Sequence, residues 1–304
     1  MPQSCNALDP ALAAELTEAI QRATDSTAGI EQVTEVGGGS ISHAYRLRAA
    51  NTGFFVKLNS AERYEMFAAE ADGLNAFGLC SAIRVPRVIA HGVCGRDAYL
   101  LLEYVALNSL RADASSREAG YALAELHRIE GGRFGWHRDN FIGSTLQRNT
   151  KDSDWPRFFT NRRLAPQVDL ARKQGYRGRV IADGERLMEK LPALFVGYLP
   201  KASLLHGDLW SGNAALDDSG KLALFDPAVH YGDRESDLAM MQLFGGFPPD
   251  MYAAYEEAWP LESGFGQRRT LYQLYHVLNH LNLFGRGYQP QAERMIASLL
   301  AEIG

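Results

Sequence analysis

The chain has 304 residues, enough for one large domain or two lobes, and its 46% hydrophobic and 22% charged content is that of an ordinary globular protein. A formal charge of −5 leaves no cationic surplus for neutralising phosphates, which argues against nucleic acid as a partner. Cys5, Cys80 and Cys94 are too dispersed for a disulfide framework or a metal-ligand set, and fit thiols kept reduced in the cytoplasm.

In chain order, residues 9–24 predict a helix: Asp9 can cap it, Pro10 suits its first turn, and Leu12, Leu16, Ala19 and Ile20 share one face. Residues 31–47 alternate around Gly37-Gly38-Gly39, the pattern of strand, glycine turn and strand, and Phe54-Phe55-Val56-Lys57-Leu58 is a further strand. Met66, Phe67, Leu74 and Phe77 predict a helix over 62–77, and strands over 85–89 and 99–104 complete the first third. Helices are then expected over 118–128, 178–191 and 268–283, with an irregular Gly-, Asn- and Arg-rich stretch over 131–175. The expected class is α+β, with a strand-rich lobe over 1–104 and a larger, mainly helical lobe over 105–304. The first twenty residues lack a basic segment followed by an apolar run. The most apolar stretch, 98–107, is too short to cross a bilayer and contains Glu103. The expectation is a cytoplasmic protein without a membrane partner.

The densest chemistry lies in His206-Gly207-Asp208-Leu209-Trp210-Ser211-Gly212-Asn213. When a phosphoryl group passes to an alcohol, an Asp takes the hydroxyl proton and an Asn a few residues later binds metal. Both must face one point, so a single tight loop relaxed by Gly207 and Gly212 suits the task. A hairpin follows, with Asp217-Asp218-Ser219-Gly220 at its tip, and delivers Asp226, which is placed to share magnesium with Asn213. Taken singly, Asp208 reads equally as a helix cap, Asn213 as a turn residue and Asp226 as a strand terminator. Their joint spacing favours chemistry.

The strand-rich lobe offers matching parts. Backbone N–H groups of the Gly37-Gly38-Gly39-Ser40-Ile41-Ser42 turn could meet phosphate oxygens. Lys57 stands among apolar strand neighbours and needs a partner, for which Glu70 on the next helix is the candidate, although an edge-strand lysine reaching to water has the same signature. The backbone of Glu103-Tyr104-Val105, at the end of a buried strand, is placed to hold adenine. His137-Arg138-Asp139 imitates a kinase catalytic loop, but the position five residues on is Ser144, so Asp139 is not the base.

Assembled, these residues resemble the fructosamine kinase (ketosamine-3-kinase) family, a protein-kinase-like branch related to aminoglycoside phosphotransferases and choline kinases. The resemblance extends through Phe134-Gly135-Trp136, Asp139-Asn140-Phe141-Ile142-Gly143, Trp155-Pro156-Arg157-Phe158-Phe159, Asp226-Pro227-Ala228, residues 231–240 and residues 275–285. Its most specific element is Trp210 inside the loop of Asp208. The resemblance implies a bilobal protein-kinase-like fold with an antiparallel-sheet nucleotide-binding lobe and a helical catalytic lobe. It also implies ATP and Mg2+ as cofactors, and phosphorylation of the 3-hydroxyl of a ketoamine. The adduct, a ribulosamine, erythrulosamine or fructosamine on a free amine or a protein lysine, would then release the amine. In that reading Asp208 is the proton acceptor, Asn213 and Asp226 bind magnesium, and Lys57 with Glu70 behind it holds phosphates. Trp210 packs on the sugar or in the core, and His276, with Asn279 and His280 at the same helical spacing, faces the substrate or only packs the helix. Ser40 stands where several relatives carry Cys. A kinase for another small alcohol such as an aminoglycoside, and a nucleotide-binding pseudokinase, are the alternatives; the intact set Lys57, Glu70, Asp208, Asn213 and Asp226 weighs against the second.

Overall fold

In the computed structural model, residues 8–37, 42–111 and 113–304 are described. They form two compact units, each with its own core.

The first unit comprises the chain up to Asn108 together with Leu216–Asp226. Its centre is a five-stranded sheet of β1 (Ile30–Val36), β2 (His43–Ala49), β3 (Thr52–Ser60), β4 (Val88–Cys94) and β5 (Asp97–Glu103), in the order β1-β2-β3-β5-β4. Every pairing is antiparallel. Side chains alternate between faces along a strand, and here both faces are covered. Val56, Tyr99 and Leu101 pack with Leu12, Leu16 and Ile20 of α1 (Pro10–Thr24). Ala98, Leu100 and Leu102 pack with Phe67, Ala71 and Leu74 of α2 (Tyr64–Phe77). Double coverage explains why β5 reads as an unbroken apolar run rather than an alternation. The strand expected over 85–89 instead begins at Val88, because Pro86 has no N–H to give the ladder.

The chain remains in the first unit to Asn108, and residues 216–226 return to it. Backbone bonds account for the return: Asn108 and Leu216 exchange N–H···O bonds of 2.7 and 2.8 Å, Arg84 N–H donates to Leu222 O at 2.7 Å, and Leu224 N–H donates to Arg84 O at 3.0 Å. The returning piece holds the last residue of β9 (Ala214–Leu216), the hairpin turn and its partner β10 (Leu222–Leu224).

The second unit is mainly helical. It contains α3 (Ala114–His127), the hairpin β6 (Asn140–Ile142) and β7 (Thr145–Gln147), α4 (Trp155–Phe159), α5 (Ala165–Lys173), α6 (Arg179–Lys190), β8 (Ser203–Leu205), β11 (His230–Gly232), α7 (Glu235–Leu243), α8 (Pro249–Ala258), α9 (Phe265–Phe284) and α10 (Gln289–Ile303). β8 pairs antiparallel with β11, setting Leu205 opposite His230. The stretch 131–175, expected to be irregular, is ordered by the β6–β7 hairpin and by a continuous helical run in which a single π turn, Thr160–Leu164, joins α4 to α5. The core gathers Trp155, Phe158, Phe159, Leu271, Leu278 and Ile296. Among the described residues no helix is long and apolar enough to cross a membrane.

Candidate active site

In the first unit β3 sets Lys57 between Ala44 of β2 and Leu100 of β5, on the opposite face from Val56 and towards α2. There Lys57 Nζ donates to Glu70 Oε1 at 2.7 Å and to Asp226 Oδ1. The partner expected for the lysine is therefore present, joined by a second carboxylate that the sequence assigned to metal. Burial works against the ammonium, but the charges of Asp226 and Glu70 outweigh it and raise the Lys57 pKa, so the cation persists. Burial pushes Glu70 up to about 7 against the downward pull of Lys57. Asp226 has φ 58°, the left-handed region that few non-glycine residues adopt, and its side chain is 45% exposed.

Of the residues expected to contact adenine, Glu103 N–H donates to Arg87 O and Tyr104 N–H to Gly53 O, both at 3.0 Å. Both amides are therefore used within the sheet, which narrows the prediction to the Glu103 carbonyl and to Val105. In the glycine turn, Gly38, Gly39, Ser40 and Ile41 lie outside the described residues. Gly37 has open space where a Cβ would stand, and the Ser42 hydroxyl accepts from Asn59 of β3 at 3.1 Å.

In the second unit β8 leads directly into the loop of Asp208. Gly207 has φ 79°, and a Cβ there would lie 2.2 Å from Ala228 O, so only glycine lets the loop rest on that carbonyl. Ala228 N–H donates to His206 O at 2.8 Å, locking the two backbones together. The loop closes on itself: Trp210 N–H reaches Asp208 O at 3.1 Å, Asn213 N–H reaches Trp210 O at 2.9 Å, and Asn213 Nδ2 donates to Asp208 O at 2.9 Å. That bond uses the amide nitrogen of Asn213, so Oδ1 is the atom through which it could hold a metal. Asp208 is half-buried. The Trp210 ring folds over Gly212, where a Cβ would come within 2.3 Å of ring carbon Cη2, yet the residue remains 40% exposed.

Sequence reasoning did not single out Asp237, which anchors the loop. Its Oδ2 accepts His206 N–H at 2.7 Å and its Oδ1 accepts Gly207 N–H at 2.8 Å, while His127 Nε2 lies 3.2 Å from Oδ2. Burial alone would raise this carboxyl; the hydrogen bond and charge of His127, with the N–H of Gly207, hold it below the usual value. Asp237 carries no local motif, since its targets lie some thirty residues earlier.

His276 is buried on α9 with its ring 5.1 Å from that of Tyr275, and burial followed by the influence of His280 lowers it to about 3. It is a neutral interior group. His280, one turn on, is half-buried among Phe244, Phe284 and Tyr288 at ring separations of 5.1–5.3 Å. Beside Phe244, Gly246 approaches Ser211 of the Asp208 loop so closely that a Cβ would stand 2.5 Å from its hydroxyl. Asp139, in the imitation motif, accepts Asn149 N–H at 2.8 Å and Arg148 at 3.1 Å.

With this geometry in place, comparison with known proteins is specific. The fructosamine kinase family model matches residues 12–302. A protein from Synechocystis sp. named a probable ketoamine kinase is 42% identical over 94% of this chain and 96% of its own. A rice protein (Oryza sativa subsp. japonica) named protein-ribulosamine 3-kinase, chloroplastic, is 38% identical over 89% of this chain and 79% of its own. The crystal structure of a protein from Haemophilus somnus 129PT named putative fructosamine-3-kinase superposes with a TM-score of 0.86 at 27% identity, covering 95% of this chain and 99% of the other. Aminoglycoside phosphotransferase APH(4)-Ia shares the kinase-like fold, with a TM-score of 0.60 at 16% identity over 95% of this chain and 98% of its own.

Proposed function

Because the chain belongs to the fructosamine kinase family, and is thus a ketoamine kinase using ATP, we propose that it phosphorylates the 3-hydroxyl of a sugar-derived ketoamine with Asp208 as proton acceptor. The observation that carries this reading is the loop itself. Asp208 is half-buried on a backbone fixed by Asp237 and Ala228, two residues before the part-exposed Trp210. A base held this way meets an incoming hydroxyl without reorganising, which is where general-base catalysis gains its rate. An indole that lies against Gly212 and is 40% exposed offers apolar surface to a sugar ring. His276 is buried, and the half-buried His280 offers the more accessible imidazole.

Lys57, held protonated by two carboxylates, is suited to the ATP phosphates. Asn213 Oδ1 and the half-exposed Asp226 carboxylate are hard oxygen donors, the type magnesium prefers. When bound, magnesium neutralises phosphate charge as the γ-phosphoryl group leaves. The proton from the substrate hydroxyl passes to Asp208. The phosphorylated adduct then sheds its amine, so the reaction serves deglycation, and its dependence on ATP suits the cytoplasm.

The name of the rice relative favours ribulosamine as the sugar part. The test is ATP turnover with magnesium on ribulosyl-lysine, erythrulosyl-lysine, fructosyl-lysine and an aminoglycoside. Turnover on the ketoamines with ribulosyl-lysine foremost is expected; turnover on the aminoglycoside alone contradicts the proposal.

A further inference from the structure

Arg163 is among the largest fully buried side chains of the protein, and among the described residues none of its hydrogen bonds goes to a carboxylate. It sits in the π turn between α4 and α5, where its guanidinium donates to Arg148 O at 2.6 Å, Arg162 O at 3.1 Å and Asn149 Oδ1 at 2.8 Å. Its Nε–H is buried without a partner among the described residues. The rings of Phe158 and Tyr275 lie 4.8 and 5.9 Å from the guanidinium carbon. Burial lowers its pKa to about 10, which leaves it protonated at neutral pH. The charge of Asp139 offsets only part of this burial, and a buried cation with no salt-bridge partner among the described residues is unfavourable. A single-turn π bulge inside an α-helix is a frequent companion of function.

What the cation can do follows from donor and acceptor arithmetic. Guanidinium only donates, whereas an amide side chain donates at one end and accepts at the other. Arg163 therefore turns the oxygen of Asn149 towards itself, and Asn149 Nδ2 is left to donate to Asn140 Oδ1 at 2.8 Å and to Arg138 O at 3.2 Å. Asn140 Oδ1 also accepts Gln147 Nε2 at 2.8 Å, so Asn140 Nδ2 points the other way, to Val229 O at 2.7 Å. Gln147 Nε2 reaches Ala228 O at 3.1 Å, and Gln147 Oε1 accepts the Tyr275 hydroxyl at 2.8 Å. Each amide has one orientation that satisfies its neighbours, and Arg163 sets the first.

The chain ends on the carbonyls of Ala228 and Val229. Ala228 O is the surface on which Gly207 rests, and Ala228 N–H bonds to His206 O, two residues before Asp208. We propose that Arg163 is a positioning residue for the phosphoryl-transfer reaction: acting through Asn149, Asn140 and Gln147, it fixes the Ala228–Val229 backbone and thereby the loop that carries Asp208. The inference rests on Asp208 being the base.

The decisive variant is Asn149→Asp. A carboxylate there keeps the contact with Arg163 and gives the buried cation a counter-charge, but has no N–H for Asn140. Arg163→Met removes the first donor altogether. Both variants of the full-length protein are assayed with ATP and ribulosyl-lysine, and hydrogen exchange is followed by mass spectrometry over residues 204–213, 226–232 and, as a reference, α6. We expect kcat to fall at least tenfold in each with the KM for ATP within threefold of wild type. Exchange should accelerate at least tenfold in the first two segments only. Wild-type kcat, wild-type exchange in those segments, or acceleration spread equally over α6 in the two variants overturns the proposal. Silence of the wild type on every ketoamine counts against Asp208 and the reaction instead, and the exchange readout still decides the role of Arg163 in holding the loop.

Discussion

Single side chains in this protein owe their positions to what glycine omits. Gly207 and Gly212 leave room, respectively, for the Ala228 carbonyl and the Trp210 ring. The two sites differ in what a methyl group would displace. At Gly207 it meets rigid backbone at a left-handed φ; at Gly212 it meets the side chain of Trp210, which can swing away. Gly212→Ala should therefore leave the melting temperature within about 2 °C of wild type, since the strain is relieved by one side-chain movement. It should raise the KM for ribulosyl-lysine several-fold while sparing the KM for ATP. An unchanged ketoamine KM, measured by steady-state kinetics, removes Trp210 from substrate contact. Glycine spacing was legible in the sequence, and so was the suspicion that the loop is tight. Which atom each glycine makes room for was not, because Ala228 and the indole are brought there by the fold.

Elements carry the electrostatics. On α9, burial holds His276 neutral at about 3, and burial with the nearby Arg163 charge also holds His230 of β11 well below its usual value. A histidine whose pKa is depressed in the folded state binds fewer protons there than when unfolded. Its contribution to stability is thus complete above about pH 6.5 and is lost as pH falls from there towards 3. Glu70 and Glu235, both pushed up to about 7 chiefly by burial, work in the opposite sense between roughly 4.5 and 7. The wild-type slope is a sum of these, so the informative quantity is a difference. His276→Gln should lose about 2 kcal/mol less stability than wild type between pH 7 and pH 5, as urea denaturation at both values will read. Equal losses would mean that His276 titrates normally in the folded chain. The helical spacing of His276, Asn279 and His280 was visible in the sequence. That the first is interior and the third half-exposed depends on which face of α9 meets α5 and which meets the Phe244 loop.

At the scale of the whole molecule, local signals read well and long-range pairings did not. The antiparallel strands, the α1 cap at Asp9 and the Asp208 loop were legible because each rests on neighbouring residues. Asp9 does accept Ala11 N–H at 2.9 Å, and Lys57 does meet Glu70. The return of residues 216–226 to the first unit was invisible because it depends on backbone bonds to Arg84 and Asn108, more than a hundred residues away. The amide chain from Arg163 to Ala228 was hidden for the same reason, and so was the anchoring of the loop by Asp237. No periodicity marks such contacts, since each joins residues from different elements through a single polar atom. The pairing of Asp208 and Asn213 on one short loop was nevertheless legible, because it is local in sequence.

The most direct test of the account is therefore Asp208→Asn, with ATP turnover on ribulosyl-lysine and nucleotide binding measured side by side in the presence of magnesium. Asn conserves the size of the side chain but cannot accept the hydroxyl proton. The account predicts that nucleotide affinity stays within about threefold of wild type while kcat falls by roughly a hundredfold or more, the scale of lost general-base catalysis. Turnover close to wild type would contradict it and remove Asp208 from the mechanism.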